Sequence, residues 1–547
     1  MKRLVTVAIL CVPSIAGAGG LFLPGAGAVS AGRAGAAIAS IDDGEALAVN
    51  PAGLAKAKGT TITLAASIIS YAMEFTRRGT YNAVEAEDYP YEGQKFGTVT
   101  DASAPKLGFG SYQPVPVIAV VTDLGGAIPG LHLALGLYAP NAYPFRDMSN
   151  GYKFNGSNPG TPPPPSRYDI LKQDGAVLLP SIAAAYRITD QLDVGARFSA
   201  GYAKITNETV LWGSPNNIQE DVKADALFHA EATDSFIPTF GLGITYRPTP
   251  NIELAATYDY KIDVKAQGRA TSANGPSVSL SGNPLTIGPG TDDRCAPGGT
   301  FESQTVCIRF GLPQKATVGG RYKFLDHQGS ERGDVELNVG WEGWSKRCDG
   351  VKDFLNGCVS PSTYFVQVNA AGYIDSNKDG QVTADEAFID LKDNYVEHRF
   401  KDTYNARLGG SYQIPLDPTR TVIVRGGVGY DTRAAETGWF RSDIDGAARL
   451  MTSVGASYKT RRLEVSAGLG GIFEGSFSNP GTCNPPAGST SNPNPGCSAT
   501  GTEQKPGDRN GPDPISPITT SQTEHPIAQG DYKSHYIVGM LGVSTWF

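Results

Sequence analysis

The sequence predicts an all-β protein: a fourteen-stranded antiparallel transmembrane β-barrel with long extracellular loops. Three observations predict it. An export signal opens the chain, long segments alternate apolar and polar residues with period two, and the connections between those segments alternate short and long.

Lys2 and Arg3 precede an apolar run over residues 4–15 and a small-residue site, Ala16-Gly17-Ala18, which is the pattern of a secretory signal peptide spanning residues 1–18. Cys11 follows Leu10 inside that run, not a small residue as a lipid anchor would require, and is expected to leave with the leader. Beyond it no stretch approaches 18 consecutive apolar residues, which excludes helical membrane spans. The full chain carries 46 basic and 54 acidic residues with no long basic cluster, so nucleic-acid binding is not expected. Gly is abundant, at 67 of 547 residues, and Tyr outnumbers Phe 24 to 21.

The alternation is read strand by strand. Leu192, Val194, Ala196, Phe198, Ala200 and Tyr202 form one face of a segment whose other face is Asp193, Gly195, Arg197, Ser199 and Gly201. Ile252, Leu254, Ala256, Tyr258, Tyr260, Ile262 and Val264 likewise oppose Glu253, Thr257, Asp259, Lys261 and Asp263, and Val335, Leu337, Val339 and Trp341 oppose Glu336, Asn338, Gly340 and Glu342. Soluble strands usually run about 5 to 6 residues, whereas a tilted membrane strand needs about 9 to 11. These are of the longer kind, with a lipid face and a lumen face, and closure removes the unpaired edge that hydrocarbon would not tolerate.

Strands are expected at 60–75, 105–122, 131–140, 178–188, 191–206, 235–247, 251–268, 312–325, 334–346, 403–414, 420–432, 447–459, 462–474 and 534–547. The connections at 125–130, 189–190, 248–250, 326–333, 415–419 and 460–461 are short, as periplasmic turns are, and most of the others are long, as outer loops are. Six cysteines remain after the leader, in three close pairs: Cys295 with Cys307, Cys348 with Cys358, and Cys483 with Cys497. Local disulfides in an oxidising compartment follow. All six fall in expected outer loops, on one side of the membrane.

A family resemblance rests on short motifs. Gly20-Leu21-Phe22-Leu23-Pro24, Gly32-Arg33-Ala34-Gly35-Ala36, Asp42-Asp43 and Asn50-Pro51-Ala52-Gly53-Leu54 resemble the N-terminal hatch of FadL-like outer-membrane transporters of long-chain fatty acids and hydrocarbons. Leu312-Pro313, Gly319-Gly320-Arg321-Tyr322, Trp341-Glu342-Gly343-Trp344-Ser345 and Arg425-Gly426-Gly427-Val428-Gly429-Tyr430 add to it, and the terminal Phe547 resembles the signal read by the outer-membrane assembly machinery. The resemblance implies a hatch over residues 19–58 inside a barrel over 59–547. It also implies passive uptake of a hydrophobic small molecule, such as a long-chain fatty acid, with sideways release into outer-membrane lipid. Such a solute gains about 0.8 kcal/mol per buried CH₂, so a shielded apolar path and a movable hatch suffice.

Within this frame Asn50, Pro51 and Ala52 are expected to form a rigid hinge of the hatch, against the plainer reading of an Asn-Pro turn. Alternation points Arg197, Arg321, Arg407, Arg425 and Arg449 into the lumen, where a guanidinium could take a ligand carboxylate through paired hydrogen bonds. The competing reading pairs them with inward acids such as Asp193, Asp259 and Glu336.

One insertion, residues 346–402, carries a motif foreign to the transporter pattern. Residues 375–386 match the twelve-residue EF-hand-like Ca²⁺ loop, with oxygens expected from Asp375, Asn377, Asp379, Gln381, Thr383 and a bidentate Glu386, and with Gly380 at the sharp turn. An acidic solvated loop is the alternative. No Gly-x-Ser-x-Gly, His-Glu-x-x-His, phosphate loop or Cys-x-x-Cys is present, so no enzyme is expected. A general diffusion porin and, further off, an outer-membrane lipid-modifying enzyme are the other functional readings.

Overall fold

The structure, a computed structural model, describes residues 21–83, 88–213, 220–275, 278–280, 283–290, 304–348, 357–379, 381, 383–391, 394–436, 438–444, 446–479, 512, 514–516 and 527–547. The expected leader and Cys295, Cys483 and Cys497 lie outside the described residues.

Fourteen antiparallel strands close into a barrel: β1 (Thr60–Arg77), β2 (Gln113–Thr122), β3 (Leu131–Tyr138), β4 (Lys172–Thr189), β5 (Leu192–Leu211), β6 (Ala226–Thr249), β7 (Ile252–Asp259), β8 (Lys315–Leu325), β9 (Glu331–Glu342), β10 (Thr403–Asp417), β11 (Arg420–Asp431), β12 (Arg449–Lys459), β13 (Leu463–Asn479) and β14 (Gly530–Trp546). Each pairs with the next, and β14 returns to β1 in register from Thr61 opposite Trp546 to Arg77 opposite Gly530. Closure leaves no free end strand for hydrocarbon to meet.

The faces follow the period-two pattern. Phe198, Leu254, Val335, Leu337 and Val339 face outward, while Asp193, Arg197, Glu253, Glu336 and Asn338 are buried inward. Exposed tyrosines form two belts. Tyr186, Tyr246, Tyr322, Tyr412 and Tyr458 ring the end with the short turns, and Tyr202, Tyr260, Tyr404 and Tyr430 ring the other, where amphipathic rings sit at the membrane–water boundary.

Several expected strands are redrawn. The strand expected at 251–268 is two, breaking after Asp259 and resuming as Ile262–Asn274. The one expected at 312–325 starts at Lys315, because Pro313 has no N–H for the ladder, and a separate strand, Gln304–Leu312, precedes it. These upper strands join β6 and the strand Thr363–Tyr373 in a sheet standing above the membrane. Cys307 therefore lies in a strand of that extracellular sheet, not in a loop. The strand expected from 105 begins at Gln113.

Residues 21–58 fill the lumen as short helical turns, Ala31–Arg33, Ala46–Val49 and Pro51–Lys56. Their small side chains let backbone lie directly on the wall. Ala31, Ala34, Ala36, Ala37 and Ala39 are wholly buried, and the wall answers with glycine. A Cβ on Gly195 would stand 2.3 Å from the Pro51 carbonyl carbon, and one on Gly427 would stand 2.3 Å from the Arg33 carbonyl oxygen.

Candidate functional site

The plug is fastened by polar side chains in a buried interior. Asn50, wholly buried, donates to the Ile38 carbonyl (2.7 Å) and accepts from the Ala52 N–H (3.0 Å), capping the turn in which Pro51 supplies the first residue. Arg33 grips Asp334 of β9 with both guanidinium nitrogens (3.0 and 2.7 Å), and its Nη2 also lies 3.3 Å from Glu336. Glu336 in turn accepts from the Ala39 and Ser40 N–H groups, and Glu45 accepts from those of Ala28, Val29 and Ser30. Sequence reasoning quoted Arg33 only within a motif and missed its role. A lone arginine in a glycine–alanine run was the available signal, since burial among small residues demands an acidic partner.

The five lumen arginines all point inward, and all are occupied. Arg197 binds the Leu47 carbonyl (2.6 Å) and Asp259 (2.5 Å). Arg321 meets Glu253, Glu331 and Asp334 within 3 Å. Arg407 pairs with Asp431 (2.9 Å), and Arg425 with Glu464 (2.8 Å). Arg449 pairs with Glu474 (2.8 Å) and holds the Phe22 carbonyl (2.9 Å) at the tip of the plug. These contacts brace the wall and tie the plug to it.

Above the plug tip the lumen is apolar and aromatic. Phe22 packs on Trp344, Phe75 stacks on Tyr532, and Tyr71 meets Tyr536. Beside this cluster the wall is broken. β3 pairs with β4 up to Tyr138 opposite Leu179, and pairing resumes only at Arg146 opposite Gln173. Between them residues 139–145 turn into the lumen, burying Tyr143 and Phe145 and leaving residues 174–178 of β4 without that neighbour. The sequence explains the break: Pro140 and Pro144 cannot donate to a ladder. Pro114 and Pro116 line the opposite edge. The Pro116 carbonyl accepts the Ala139 N–H, so the side of β2 that lacks its proline N–H groups is the side facing the break. A regular strand over 131–140 was expected, and its prolines were the unread signal.

Outside, Cys348 and Cys358 form a disulfide with Cα atoms 6.1 Å apart, and Cys307 is disulfide-bonded. The described residues of the 375–386 segment lie between the strands Thr363–Tyr373 and Ala387–Asp390, not between helices. Asp375 and Asn377 accept the Asp379 N–H, Asp379 accepts that of Gln381, and Lys378 takes φ 59°. Glu386 folds back to accept from the Ser376, Asn377 and Thr383 N–H groups, which hold its carboxyl below its usual value. Among the described residues no three acidic, histidine or cysteine side chains converge closely enough to enclose a metal. Gly380 lies outside the described residues.

A closed fourteen-stranded barrel with two aromatic belts, a plugged lumen and no helix able to span a membrane among its described residues is an outer-membrane channel. The family of outer membrane protein transport proteins (OMPP1/FadL/TodX) matches residues 9–477, and the chain belongs to it. It is an outer-membrane transporter of hydrophobic small molecules and not an enzyme. Among solved structures it resembles a Pseudomonas aeruginosa FadL homologue (14% identity, TM-score 0.61) and the Pseudomonas putida toluene transporter TodX (15%, 0.56). It also resembles the Ralstonia pickettii toluene transporter TbuX (15%, 0.54); each alignment covers 96% of this chain and 99% of the other. No curated protein sequence matches it.

Proposed function

We propose that the protein passes an apolar molecule from its aromatic upper lumen sideways through the break between β2 and β4 into the membrane, with residues 21–58 acting as the hatch and Asn50-Pro51-Ala52 as its hinge. The observation that carries this reading is the inturned segment 139–145, which opens the wall beside the apolar cluster. Of the two ligand classes expected, uncharged hydrocarbon fits better than long-chain fatty acid. All five lumen arginines already hold an acid, so a carboxylate would have to displace a buried partner, and breaking such a pair costs about 3 to 5 kcal/mol. The test is uptake of pyrene and of palmitate by cells carrying the protein. A variant lacking Pro140 and Ala142, with Pro144→Val, lets five residues face the five of β4 and run straight; it is expected to assemble and to lose uptake. Undiminished uptake would end the lateral reading, and palmitate uptake exceeding that of pyrene would return the choice to fatty acids.

We further infer that residues 375–386 bind Ca²⁺ as a loop staple. The twelve-residue oxygen pattern supports it, as do the turns at Asp375, Asn377 and Asp379, which already curl the backbone as such a loop requires. Binding would exchange the N–H partners of Glu386 for metal.

A further inference from the structure

Between the three-residue strand Thr98–Thr100 and β2 the chain leaves the wall as a tight turn over residues 101–112. Phe109 and Tyr112 exchange backbone hydrogen bonds (2.8 and 3.2 Å) around Gly110, whose φ of 61° the turn requires. The turn shows water its least suitable side chains: Leu107 is 81% exposed and Phe109 77%, the largest exposures among the bulky apolar residues described. An apolar pair so exposed in so rigid a turn calls for a partner.

Its position names the partner. Tyr112, half-exposed, continues the outward stripe of Pro114, Pro116, Ile118 and Val120 that faces the bilayer along β2. Ser111 bonds Ser70 of β1 (2.8 Å), just below Glu74, whose pairing with Lys533 marks the polar boundary of the outer leaflet. The turn therefore stands beside the wall break, at the level of the Glu74–Lys533 pair. Its neck is held from within, because the Tyr143 hydroxyl, on the inturned segment, bonds Ser103 Oγ (3.1 Å) and donates to the Ser111 carbonyl (2.7 Å). Two residues earlier Asn141 accepts the Leu23 N–H of the plug tip (2.6 Å).

We propose that residues 104–112 are an interfacial roof whose Leu107 and Phe109 insert into the acyl layer of the outer leaflet above the wall break, so that a departing apolar molecule meets lipid and not polar head groups. The insertion stands on its own; the roof's part in transport rests on the lateral reading above. The exposed pair continues a membrane face the barrel already has, and Lys106 is placed to meet lipid phosphate.

Nitroxide labels on Leu107→Cys and Phe109→Cys, in the full chain reconstituted into phosphatidylethanolamine–phosphatidylglycerol vesicles, test the insertion. Leu541→Cys on the lipid face and Gln328→Cys in a periplasmic turn serve as references, and unlabelled wild type controls for native cysteines. Both roof sites are expected to share the high oxygen-to-nickel accessibility ratio of the Leu541 site; a ratio equal to that of Gln328 at either site overturns the insertion. In cells, Leu107→Ser with Phe109→Ser is expected to slow pyrene uptake at least threefold without reducing the amount of assembled barrel. Unchanged uptake, while the straightened β3 variant loses it, overturns the roof and leaves lateral release standing. Unchanged uptake in the straightened variant removes lateral release and the roof's transport role together, while the accessibility ratios still decide the insertion.

Discussion

Arg33 sits where glycine and alanine surround it, and its guanidinium is 2% exposed between Asp334 and Glu336. Removing one member of a buried pair leaves the other uncompensated, at about 3 to 5 kcal/mol. Arg33→Met should therefore loosen the plug and not the wall, since Arg321 still holds Asp334. The expected result is more frequent channel opening in planar bilayers with the heat-modifiable band of the folded barrel intact; a quiet channel would show that Arg33 is not a latch. Asp225 makes a second residue-scale case, in the extracellular cover. It faces Arg167, Tyr168 and Glu220, and burial pushes its carboxyl from 3.8 up to about 6 despite Arg167. Between those values the folded cover holds a proton that the opened one releases, so its stability falls as pH rises from about 4 to about 6 and is level above. Amide protection in residues 164–171, corrected for the intrinsic pH dependence of exchange, should fall across that window, and Asp225→Asn should abolish the slope.

At the scale of elements, what was legible in the sequence was whatever repeats. The two-residue period located all fourteen wall segments, though not all of their ends, because each inward Asp193 or Glu336 alternates with an outward Val194 or Val335 over a length only a membrane demands. Three-dimensional exceptions were not legible. Residues 139–145 leave the wall because proline removes donors, yet the apolar pattern runs on through Tyr143, which packs on Tyr71, and Phe145, which packs on Tyr143. The arginines were read as inward, and pairing with inward acids was one of the two readings; which acid each takes was not legible, since the partners, such as Asp259 for Arg197 and Glu464 for Arg425, lie on other strands. The proposed calcium loop shows the opposite limit: its pattern is local, so the backbone turns form, while a gathering of oxygens would depend on the ion. In that reading Glu386 would supply two of the oxygens and should be decisive. Glu386→Gln is expected to abolish calcium protection of the 346–402 insertion against protease and to leave barrel heat resistance unchanged. Equal cleavage of the wild-type insertion with calcium and with chelator would dismiss the metal. Reduction should act separately, through the Cys348–Cys358 bridge, whose short loop is worth roughly 2 to 4 kcal/mol in the chain-entropy account.

For the whole molecule, barrel and plug are expected to behave as two cooperative systems meeting along a buried surface. The barrel closes on itself through the β1–β14 ladder, which begins at Thr61 and uses no plug residue. The plug has no comparable structure of its own. Its longest helical turn is Pro51–Lys56, and its order comes from the wall, through Glu336, Asp334, Arg449 and the glycines on which its backbone rests. Loss of the plug should thus leave the barrel nearly as stable, whereas loss of the barrel would leave the plug without form. Deleting residues 20 to 55 is expected to give a protein that still assembles in the outer membrane and still migrates as a heat-modifiable barrel. It should now admit small sugars in a liposome swelling assay and lose preferential uptake of pyrene over a sugar of similar mass. The wall arginines would then face acids and water without plug carbonyls, which lowers no barrier to apolar solutes. If the deletion prevents assembly, the plug is part of the folding nucleus and the two systems are one; if it assembles yet stays closed to sugars, the aromatic cluster above Phe22 closes the lumen without the plug.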